Sequence, residues 1–518
     1  MGAAMQWSDE CDVLVVGSGA GGVTGAYTAA REGLDVILVE ATDRFGGTTA
    51  YSGGGGMWFP CNAVLRRAGD EDTVDDALTY FRAVVGDGSP PEMQEAFVRG
   101  GAPLIDYLEA DEHFVFQVLP WPDYFGLAPE ARAGGRHIVP RPLRAAKLAD
   151  GGESVRGPLG REWADEPAGD HLVGGRALVG RFLWAMEDMA NAHLRLGTAL
   201  EELVVTDGVV TGAVVSDGGD RRAIRARRGI LLAAGGFEQN QQLRDAYGVP
   251  GSARDTMGSW GNLGKAHRAG IEVGADTRLM DQAWWSPGLT HPGGRSAFAL
   301  WFTGGIFVDG AGNRFTNESA PYDRLGRDVI AHDGVDASDA RFWMIYDDRE
   351  GLVPPVKAPN VPLAATEEYT AAGLWRTADT LEELAGLIGV PAANLVATVH
   401  RFNDFAAAGV DGDFGRGDEP YDRSFSGGRS PLVPIEKGPF HAAAFGISDL
   451  GTKGGLVTDT SARVLDSAGA VIPGLYAAGN TMAPVSGTTY PGGGNPIGAG
   501  MVFGHLAALD MAGTRNDG

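Results

Sequence analysis

Near its start the chain alternates apolar runs with glycines, and this pattern predicts a strand, a helix and a second strand. DVLVV, residues 12–16, is short and continuously apolar, as expected for a parallel strand buried on both faces. Residues 21–32 have helical character, and Gly33 suits the position just after a helix. DVILVE, residues 35–40, predicts a second strand that ends in an acid, Glu40.

Further apolar runs lie far along the chain. Residues 196–215 predict a strand and a hairpin, residues 227–240 a buried strand that ends near a glycine pair, and residues 471–480 another strand. A last helix is predicted from about Pro496 to Ala512. Asn495 is the expected N-cap of that helix, because asparagine side chains accept hydrogen bonds from the first helical amides.

Between about residues 283 and 448 the pattern changes to aromatic, turn-rich sequence. Residues 284–294 read WWSPGLTHPGG, and a hairpin is predicted to turn at residues 309–312. Residues 401–417 begin as a helix and end as a loop. This middle region therefore predicts a separate unit inserted into the first.

Composition narrows the function classes. The chain has 518 residues, 80 glycines and a net charge of −25. Such an acidic surface repels phosphate backbones and anionic lipid, so no nucleic-acid partner is expected. Two cysteines make neither a disulfide framework nor a zinc site, and no metal is expected. No signal peptide and no transmembrane segment are predicted, and a reducing, cytoplasmic location is expected.

The turn after the first strand has the spacing of a dinucleotide-binding motif. GSGAGG places Gly17, Gly19 and Gly22 in GxGxxG spacing between a strand and a helix. The glycines permit a tight turn and let a pyrophosphate approach the helix N-terminus, while Glu40 stands where a ribose diol would be bound. The alternative, a glycine-rich turn without a ligand, leaves the acid and the second strand unexplained.

The next loop favours FAD over NAD. ATDRFGGTTAYSGGG, residues 41–55, can run along a longer ligand with hydroxyls and backbone amides. It resembles the FAD-binding loop of the fumarate reductase and succinate dehydrogenase flavoprotein superfamily. That resemblance implies an α/β fold: a Rossmann-like FAD-binding domain, discontinuous in sequence over residues 9–282 and 449–513, with an inserted α+β capping domain over residues 283–448. The cofactor-binding residues it implies are Gly17, Ser18, Gly19, Gly21, Gly22, Glu40, Ala41, Gly47, Thr48, Thr49, Ser52, Gly53, Gly54, Leu200, Ala234, Gly235, Gly479, Asn480 and Ile497.

The substrate region lacks the groups that a fumarate-type site needs. Such a site holds two substrate carboxylates, which requires several cations and an arginine that acts as the acid. The corresponding histidine and arginine motifs are missing. The candidate lining is instead apolar and aromatic: Trp121, Phe125, Trp284, Trp285 and Phe302. Three tyrosines stand among glycines and prolines, namely Tyr124, Tyr322 and Tyr490. Each alone is adequately explained as a packed tyrosine in a turn, but three in loops that face one interface would be a site.

Together these motifs resemble the bacterial 3-ketosteroid Δ1-dehydrogenases over nearly the whole chain. The specific segments are WPDYF, AWWSP and TYPGGGNPIG. The resemblance implies oxidation of the C1–C2 bond of a 3-ketosteroid, with hydride transfer from C1 to flavin N5. Tyr322 would be the base at C2, Tyr124 would assist it and relay the proton, and Tyr490 with the Gly494 amide would bind the 3-keto oxygen. Phe125, Trp284 and Phe302 would contact the steroid.

Other functions remain open at this point. A 3-ketosteroid Δ4-(5α)-dehydrogenase, a fumarate-reductase-like enzyme for a small unsaturated acid, and a steroid carrier without enzyme activity are the alternatives. The electron acceptor is expected to be a quinone or oxygen, and steroid partitioning into lipid suggests peripheral membrane contact. Neither the oligomeric state nor the role of residues 126–163 follows from the sequence.

Overall fold

The computed structural model describes residues 6–159, 169–332, 341–359 and 361–514. The first part of the chain contains the following strands and helices, numbered in chain order: β1 Asp9–Val16, α1 Ala20–Arg31, β2 Val36–Val39, β3 Met57–Trp58, α2 Ala63–Arg67, α3 Val74–Val85, α4 Pro91–Glu109, β4 Phe116–Leu119, β5 His137–Pro140, β6 Leu143–Arg144, β7 His171–Leu172, α5 Gly174–Glu187, β8 Ala192–Arg195, β9 Thr198–Thr206, β10 Val209–Asp217, β11 Asp220–Leu232, α6 Gln241–Tyr247, α7 Lys265–Glu272 and β12 Thr277–Arg278.

The middle and last parts continue the numbering: β13 Ala283–Thr290, β14 Ser296–Phe302, β15 Ile306–Val308, α8 Tyr322–Ala331, β16 Phe342–Asp347, β17 Val356–Pro359, α9 Thr366–Ala371, β18 Trp375–Ala378, α10 Leu381–Ile388, α11 Ala392–Ala408, α12 Pro420–Ser424, β19 Phe440–Thr452, β20 Gly455–Leu456, β21 Arg463–Leu465, β22 Val471–Ala477 and α13 Asn495–Ala512.

The first sheet joins strands from both ends of the chain. Its order is β21–β22–β11–β1–β2–β8, and β1 runs parallel to both β2 and β11. Strand β22 pairs in parallel with β11, so Leu232 lies opposite both Val16 and Ala477. The chain therefore leaves this sheet after β11 and returns to it only near its C-terminus, and the predicted α/β fold is confirmed.

Helices α1 and α13 pack on this sheet with little space between their backbones. A Cβ atom on Gly504 would lie 2.2 Å from the Gly21 carbonyl oxygen, and one on Gly25 would lie 3.1 Å from the Gly504 carbonyl oxygen. Glycine on both helices lets them approach this closely. The approach holds the last helix beside the first glycine turn.

A second, antiparallel sheet lies in the middle part of the chain. Its order is β15–β16–β19–β13–β14–β17, with β18 also paired to β19. Strand β19 runs through residue 448, where the sequence predicts a domain boundary, and carries the chain back toward the first sheet. The division into residues 9–282, 283–448 and 449–513 stays a prediction.

Helix α13 begins differently from the expectation. Asn495 is the first helical residue and Gly494 is the N-cap, with a positive φ of 79°. The prediction of Asn495 as N-cap is therefore wrong. Asn495 is buried at the end of a glycine-rich turn, and no described residue bonds its side-chain nitrogen, Nδ2.

Two smaller observations complete the fold. The unassigned residues 126–163 include β5, which pairs with β3 and β4, whereas residues 160–163 lie outside the described part of the chain. None of the helices in the described ranges is long and apolar enough to cross a lipid bilayer.

Candidate active site

A cavity of about 570 Å³ lies beside the glycine turn that follows β1. Gly17 has a φ of 99°, and a Cβ there would lie 2.4 Å from the Ala233 carbonyl oxygen. A Cβ on Gly22 would lie 1.9 Å from the Gly17 carbonyl oxygen. Gly19 is different, because its nearest neighbour would be the Thr49 hydroxyl at 3.6 Å, and it lines the cavity. The turn is thus built by Gly17 and Gly22, and Gly19 leaves room for a ligand.

The acid at the end of β2 is held in the cavity wall. Glu40 accepts hydrogen bonds from the Ser18 hydroxyl at 2.5 Å and the Thr42 hydroxyl at 2.8 Å. The Ser18 and Thr42 amides also donate to it. These donors fix the carboxylate where a dinucleotide-binding fold places its ribose-binding acid.

The predicted cofactor residues surround this cavity, with the exception of Gly22, which packs inside the turn. The lining members are Gly17, Ser18, Gly19, Gly21, Glu40, Ala41, Gly47, Thr48, Thr49, Ser52, Gly53, Gly54, Leu200, Ala234, Gly235, Gly479, Asn480 and Ile497. The glycine turn, the α1 N-terminus and the fixed carboxylate fit a dinucleotide such as FAD.

The sequence did not identify Asn262 as a site residue. Asn262 lines the cavity and donates to the Thr48 hydroxyl at 3.0 Å and to Glu238 at 2.5 Å. The glycine turn before α7 carries it, and this turn was the only signal available in the sequence. Burial raises the pKa of Glu238 to about 7.

The three tyrosines from separate loops meet at the other end of the cavity. The ring centroids of Tyr124 and Tyr490 are 5.2 Å apart, those of Tyr322 and Tyr490 5.5 Å, and those of Tyr124 and Tyr322 5.8 Å. All three rings are buried and all three line the cavity. The structure therefore brings together the three phenols that the sequence singles out.

Burial makes these phenols weak acids. It raises the pKa of Tyr490 to about 12, and it raises the pKa values of Tyr124 and Tyr322 well above the ordinary value. The neighbouring phenols Tyr124 and Tyr490 raise the pKa of Tyr322 further. All three side chains are therefore neutral at physiological pH, and each can donate a hydrogen bond.

Gly494 presents its amide to the same point. The Gly494 N–H donates to the Tyr490 hydroxyl oxygen at 3.2 Å. A Cβ on Gly494 would lie 1.8 Å from the carbonyl oxygen of Gly56 in the cofactor loop. Glycine is required here by its positive φ and by this backbone contact, and not only by the approach of a substrate.

Backbone contacts hold the Tyr124 loop against the Tyr490 loop. The Pro491 carbonyl accepts from the Tyr124 amide at 3.0 Å and from the Tyr80 hydroxyl at 2.5 Å. Asp123, which directly precedes Tyr124 in the chain, is fully buried and pairs with Arg136. Tyr80 and Arg136 could not be identified from the sequence, because both act through contacts distant in the chain.

Trp284 forms a side wall between the cofactor region and the phenols. Its ring centroid is 5.0 Å from that of Tyr490, and its indole N–H donates to the Asn480 side chain at 3.2 Å. The buried Lys453 side-chain nitrogen lies 3.9 Å from the centroid of the Trp284 ring and donates to the Thr489 carbonyl. Lys453 thus braces the segment that carries Tyr490.

Three aromatic residues proposed as lining lie elsewhere. The Arg324 guanidinium carbon lies 5.2 Å from the ring centroid of Phe125. Trp285 and Phe302 pack in the core of the second sheet. Strand β14 explains the position of Phe302: Trp301 has a φ of 65°, which breaks the alternation of side chains. Leu300 and Trp301 consequently line the cavity, and Phe302 does not.

Other lining residues were missed by the sequence analysis. They share an apolar or aromatic character: Tyr51, Leu119, Met257, Phe298, Leu300, Trp301 and Leu450. Lys265 is the basic residue among the described residues that line the cavity, and it pairs with Glu201 at 2.8 Å near the cofactor end. Among the described residues, no charged side chain lines the cavity beside the phenols, whereas Asp323, Arg324 and Lys453 lie behind that wall.

Comparison with known proteins agrees with this geometry. Residues 12–497 match the family described as "FAD binding domain". A 3-oxosteroid 1-dehydrogenase of Mycobacterium tuberculosis is 37% identical, over 97% of this chain and 98% of that protein. A 4-oxocyclohexanecarboxylate 2-dehydrogenase of Sinomonas cyclohexanicum is 36% identical, over 97% of this chain and 93% of that protein.

A solved structure is also similar over the whole chain. It is the 3-ketosteroid Δ1-dehydrogenase of Sterolibacterium denitrificans in complex with 1,4-androstadiene-3,17-dione, with a TM-score of 0.88 and 32% identity. The match covers 98% of this chain and 100% of that chain. The chain therefore belongs to the 3-oxosteroid 1-dehydrogenase family of FAD-dependent oxidoreductases.

Proposed function

We propose that this protein removes a hydride from C1 and a proton from C2 of a 3-ketosteroid, giving the 1,4-diene-3-ketone. The observation that carries the proposal is the meeting of Tyr124, Tyr322 and Tyr490 with the Gly494 amide beside a dinucleotide cavity. Removal of a proton next to a ketone needs a base at the carbon and donors at the oxygen, and this cluster supplies both kinds of group.

Tyr490 and Gly494 are the proposed donors to the 3-keto oxygen. Their hydrogen bond brings the amide nitrogen and the phenol oxygen within 3.2 Å, so both groups can address one substrate oxygen. The high pKa of Tyr490 keeps its proton in place as negative charge develops on the substrate oxygen. Both groups are in place before the substrate binds, and the Gly494 N–H, which donates to Tyr490, is shared with the substrate oxygen when the enolate is stabilised.

Tyr322 is the proposed base at C2, with Tyr124 beside it as relay. Because burial raises the pKa of Tyr322, the phenolate is scarce at neutral pH. Tyr124 raises the pKa of Tyr322 in the neutral cluster, and it is the adjacent phenol to which Tyr322 can pass the proton. The ionised form increases as the pH rises, so proton removal is expected to be faster in alkaline solution.

The residues that would hold FAD are the glycine turn, Glu40 and the start of α13. When bound, FAD supplies a hydride acceptor, so that the C–H bond at C1 can break with its electron pair. Pro496 and Ile497 line the cavity next to Gly494, and the α13 N-terminus there favours negative charge.

The lining favours a neutral ketone over a keto acid. A substrate with a carboxylate, as in the name of the Sinomonas relative, would need a cation near the phenols. Among the described lining residues, the basic one is Lys265, which is engaged with Glu201. The walls near the phenols are Met257, Phe298 and Leu300, which suit an apolar steroid.

The test is identification of the product. The purified protein, loaded with FAD, is incubated with androst-4-ene-3,17-dione and an artificial electron acceptor, and the product is analysed by mass spectrometry and NMR. We expect a new 1,2 double bond. Failure to oxidise this steroid with FAD bound overturns the proposal, and activity restricted to 5α-saturated steroids with a new 4,5 double bond supports the Δ4 alternative.

A quinone is the proposed electron acceptor, because a flat, uncharged carbonyl compound suits the cavity that accepts the ketone. Contact with lipid surfaces would bring the protein near both steroid and quinone. Reoxidation of the steroid-reduced enzyme by a soluble ubiquinone analogue, and flotation with neutral phosphatidylcholine vesicles, test these two points. Reoxidation by oxygen but not by the quinone contradicts the first, and no flotation contradicts the second.

A further inference from the structure

Tyr322, together with Leu300 and Trp301, lines two neighbouring spaces. One is the main cavity, and the other is a narrow cleft lined also by Tyr421, Asp422 and Ser426. Ser426 is half-buried and the next residue, Gly427, is exposed, so this cleft leads toward the surface. Tyr322 itself is buried. A proton that Tyr322 takes from a substrate in the main cavity can therefore leave through the cleft.

A fourth phenol lies next to the relay residue. Helix α12 places Tyr421 so that its ring centroid is 5.1 Å from that of Tyr124, edge to face. Tyr421 is buried and does not line the main cavity, so it is positioned behind Tyr124 rather than against the substrate. The Tyr124 hydroxyl lowers the pKa of Tyr421 against the larger increase caused by burial, which indicates that the two hydroxyls interact.

The residue after Tyr421 is a buried carboxylate with a free oxygen. Asp422 Oδ2 accepts from the Gly417 amide at 2.8 Å and from the Asn317 side chain at 3.1 Å. No described residue bonds its other oxygen, Oδ1, although that atom is buried. Burial raises the pKa of Asp422, which makes the carboxylate a better proton acceptor than an exposed one.

From this arrangement we propose that Tyr421 and Asp422 form the exit route for the proton that Tyr322 removes from C2. The proton passes from Tyr322 to Tyr124, from Tyr124 to Tyr421, and then to Asp422 and the solvent, and Tyr322 regains its anionic oxygen. The electron pair of the broken C2–H bond becomes the new double bond as the hydride leaves C1. Tyr421 acts through Tyr124 and is a positioning residue for the proton.

The experiment follows the proton with an isotope. The proposal rests on the proposed function. The experiment uses the reaction in both directions: a 4-ene-3-ketone reduces the flavin, and a 1,4-diene-3-ketone then takes the hydride and a proton back. FAD-loaded enzyme is reduced without oxygen by androst-4-ene-3,17-dione carrying deuterium at C2, and 1-dehydrotestosterone is then added as hydride and proton acceptor. Mass spectrometry measures the deuterium at C2 of the testosterone formed. In the wild type the deuteron exchanges with water through the exit route, so little label is transferred.

In Tyr421→Phe the route is interrupted, and we expect several-fold more deuterium in the testosterone. The first reduction of the bound flavin should keep its wild-type rate, because Tyr322 and Tyr124 are intact. Tyr346→Phe is the control: this buried phenol of the second sheet donates to the Leu352 carbonyl and should transfer as little label as the wild type.

Two results would overturn the proposal. One is equal deuterium transfer in Tyr421→Phe and the wild type. The other is a decrease in the rate of the first flavin reduction in Tyr421→Phe that is as large as the increase in deuterium transfer. If Tyr421→Phe does not fold, Asp422→Asn is measured in the same way. Equal deuterium transfer in Asp422→Asn and the wild type then overturns the proposal. A wild-type enzyme that the steroid does not reduce shows instead that the proposed function has failed.

Discussion

At the scale of single residues, three phenols with the same chemistry differ through their neighbours. Tyr490 is paired with a backbone amide, Tyr124 packs against three other phenols, and Tyr322 faces both the cavity and the cleft behind it. Burial raises the pKa of each, to about 12 for Tyr490 and well above the ordinary value for Tyr124 and Tyr322, so all three are neutral at physiological pH. Their positions around the substrate decide which one donates and which one accepts a proton.

Replacement of Tyr490 by phenylalanine removes one donor from the proposed oxyanion site. Loss of one such donor costs about 3–4 kcal/mol of barrier, or roughly a 10²–10³-fold lower kcat. The variant should also bind the 1,4-diene-3-ketone product more weakly, as measured by the spectral change of bound flavin on titration. An unchanged kcat with only a raised KM would show that Tyr490 binds the steroid equally before and during the reaction.

Single residues also show which parts of the site could not be predicted from the sequence. The three site tyrosines stand beside glycines and prolines and belong to recognisable motifs, which is why they could be selected. Tyr421 also follows a proline, in DEPYDRS, but it belongs to none of the recognised motifs, and only the fold brings it to Tyr124. Phe302 was proposed as lining because nothing in its sequence reveals the left-handed backbone of Trp301.

At the scale of elements, helix α13 connects the two halves of the site. Its first turn carries Gly494, Pro496 and Ile497 on the cavity wall, while its body packs on α1 through glycines. The motif GxGxxG predicted α1 and its neighbouring strands because each signal there is local. The start of α13 was misjudged by one residue because asparagine is a good N-cap in general, whereas here the turn requires a glycine with positive φ.

The two ends of α13 offer a matched pair of substitutions. Gly494 and Gly513 have φ values of 79° and 72°, but only at Gly494 would a Cβ collide with backbone, at 1.8 Å from Gly56. Gly494→Ala should therefore lose most bound FAD and activity, since it displaces the cofactor loop. Gly513→Ala carries only backbone strain, of the order of 1 kcal/mol.

The measurement is the FAD content per chain after purification, from the flavin and protein absorbance. Full FAD content and wild-type activity in Gly494→Ala would contradict the proposed contact between this helix and the cofactor loop. Equal losses in both variants would assign the effect to backbone strain rather than to the Gly56 contact.

At the scale of the whole molecule, a buried carboxyl group links the two sheets. Glu238 accepts from Asn262 in the cofactor region and from the Thr452 amide at the end of β19. The sequence predicted a two-part arrangement from the distant apolar strands and the aromatic middle region. It could not predict this carboxyl, because its surroundings come from three separate segments.

Glu238 should make stability depend on pH. Its pKa is about 7 in the folded protein and 4.5 as the ordinary value, so the folded state holds a proton that the unfolded state has lost. The stabilising contribution is complete below about 4.5, decreases as the pH rises toward about 7, and is absent above that. Glu238→Gln, which stays neutral, should become more stable relative to the wild type as the pH rises through this range.

Urea unfolding of both proteins at several pH values measures the difference. The exposed Glu92→Gln variant is the control and should follow the wild type at every pH. A stability difference between Glu238→Gln and the wild type that does not change with pH would show that Glu238 is ionised in both states.

The central claim is that Tyr322 takes the proton from C2, and rapid anaerobic reduction of the bound flavin tests it most directly. Tyr322→Phe, loaded with FAD, is mixed with androst-4-ene-3,17-dione, and the flavin absorbance is followed in a stopped-flow instrument. We expect the steroid to bind and the flavin to be reduced at least about 10²-fold more slowly than in the wild type, since the variant has no base at C2. Reduction at a near-wild-type rate would contradict the assignment of Tyr322 as the base.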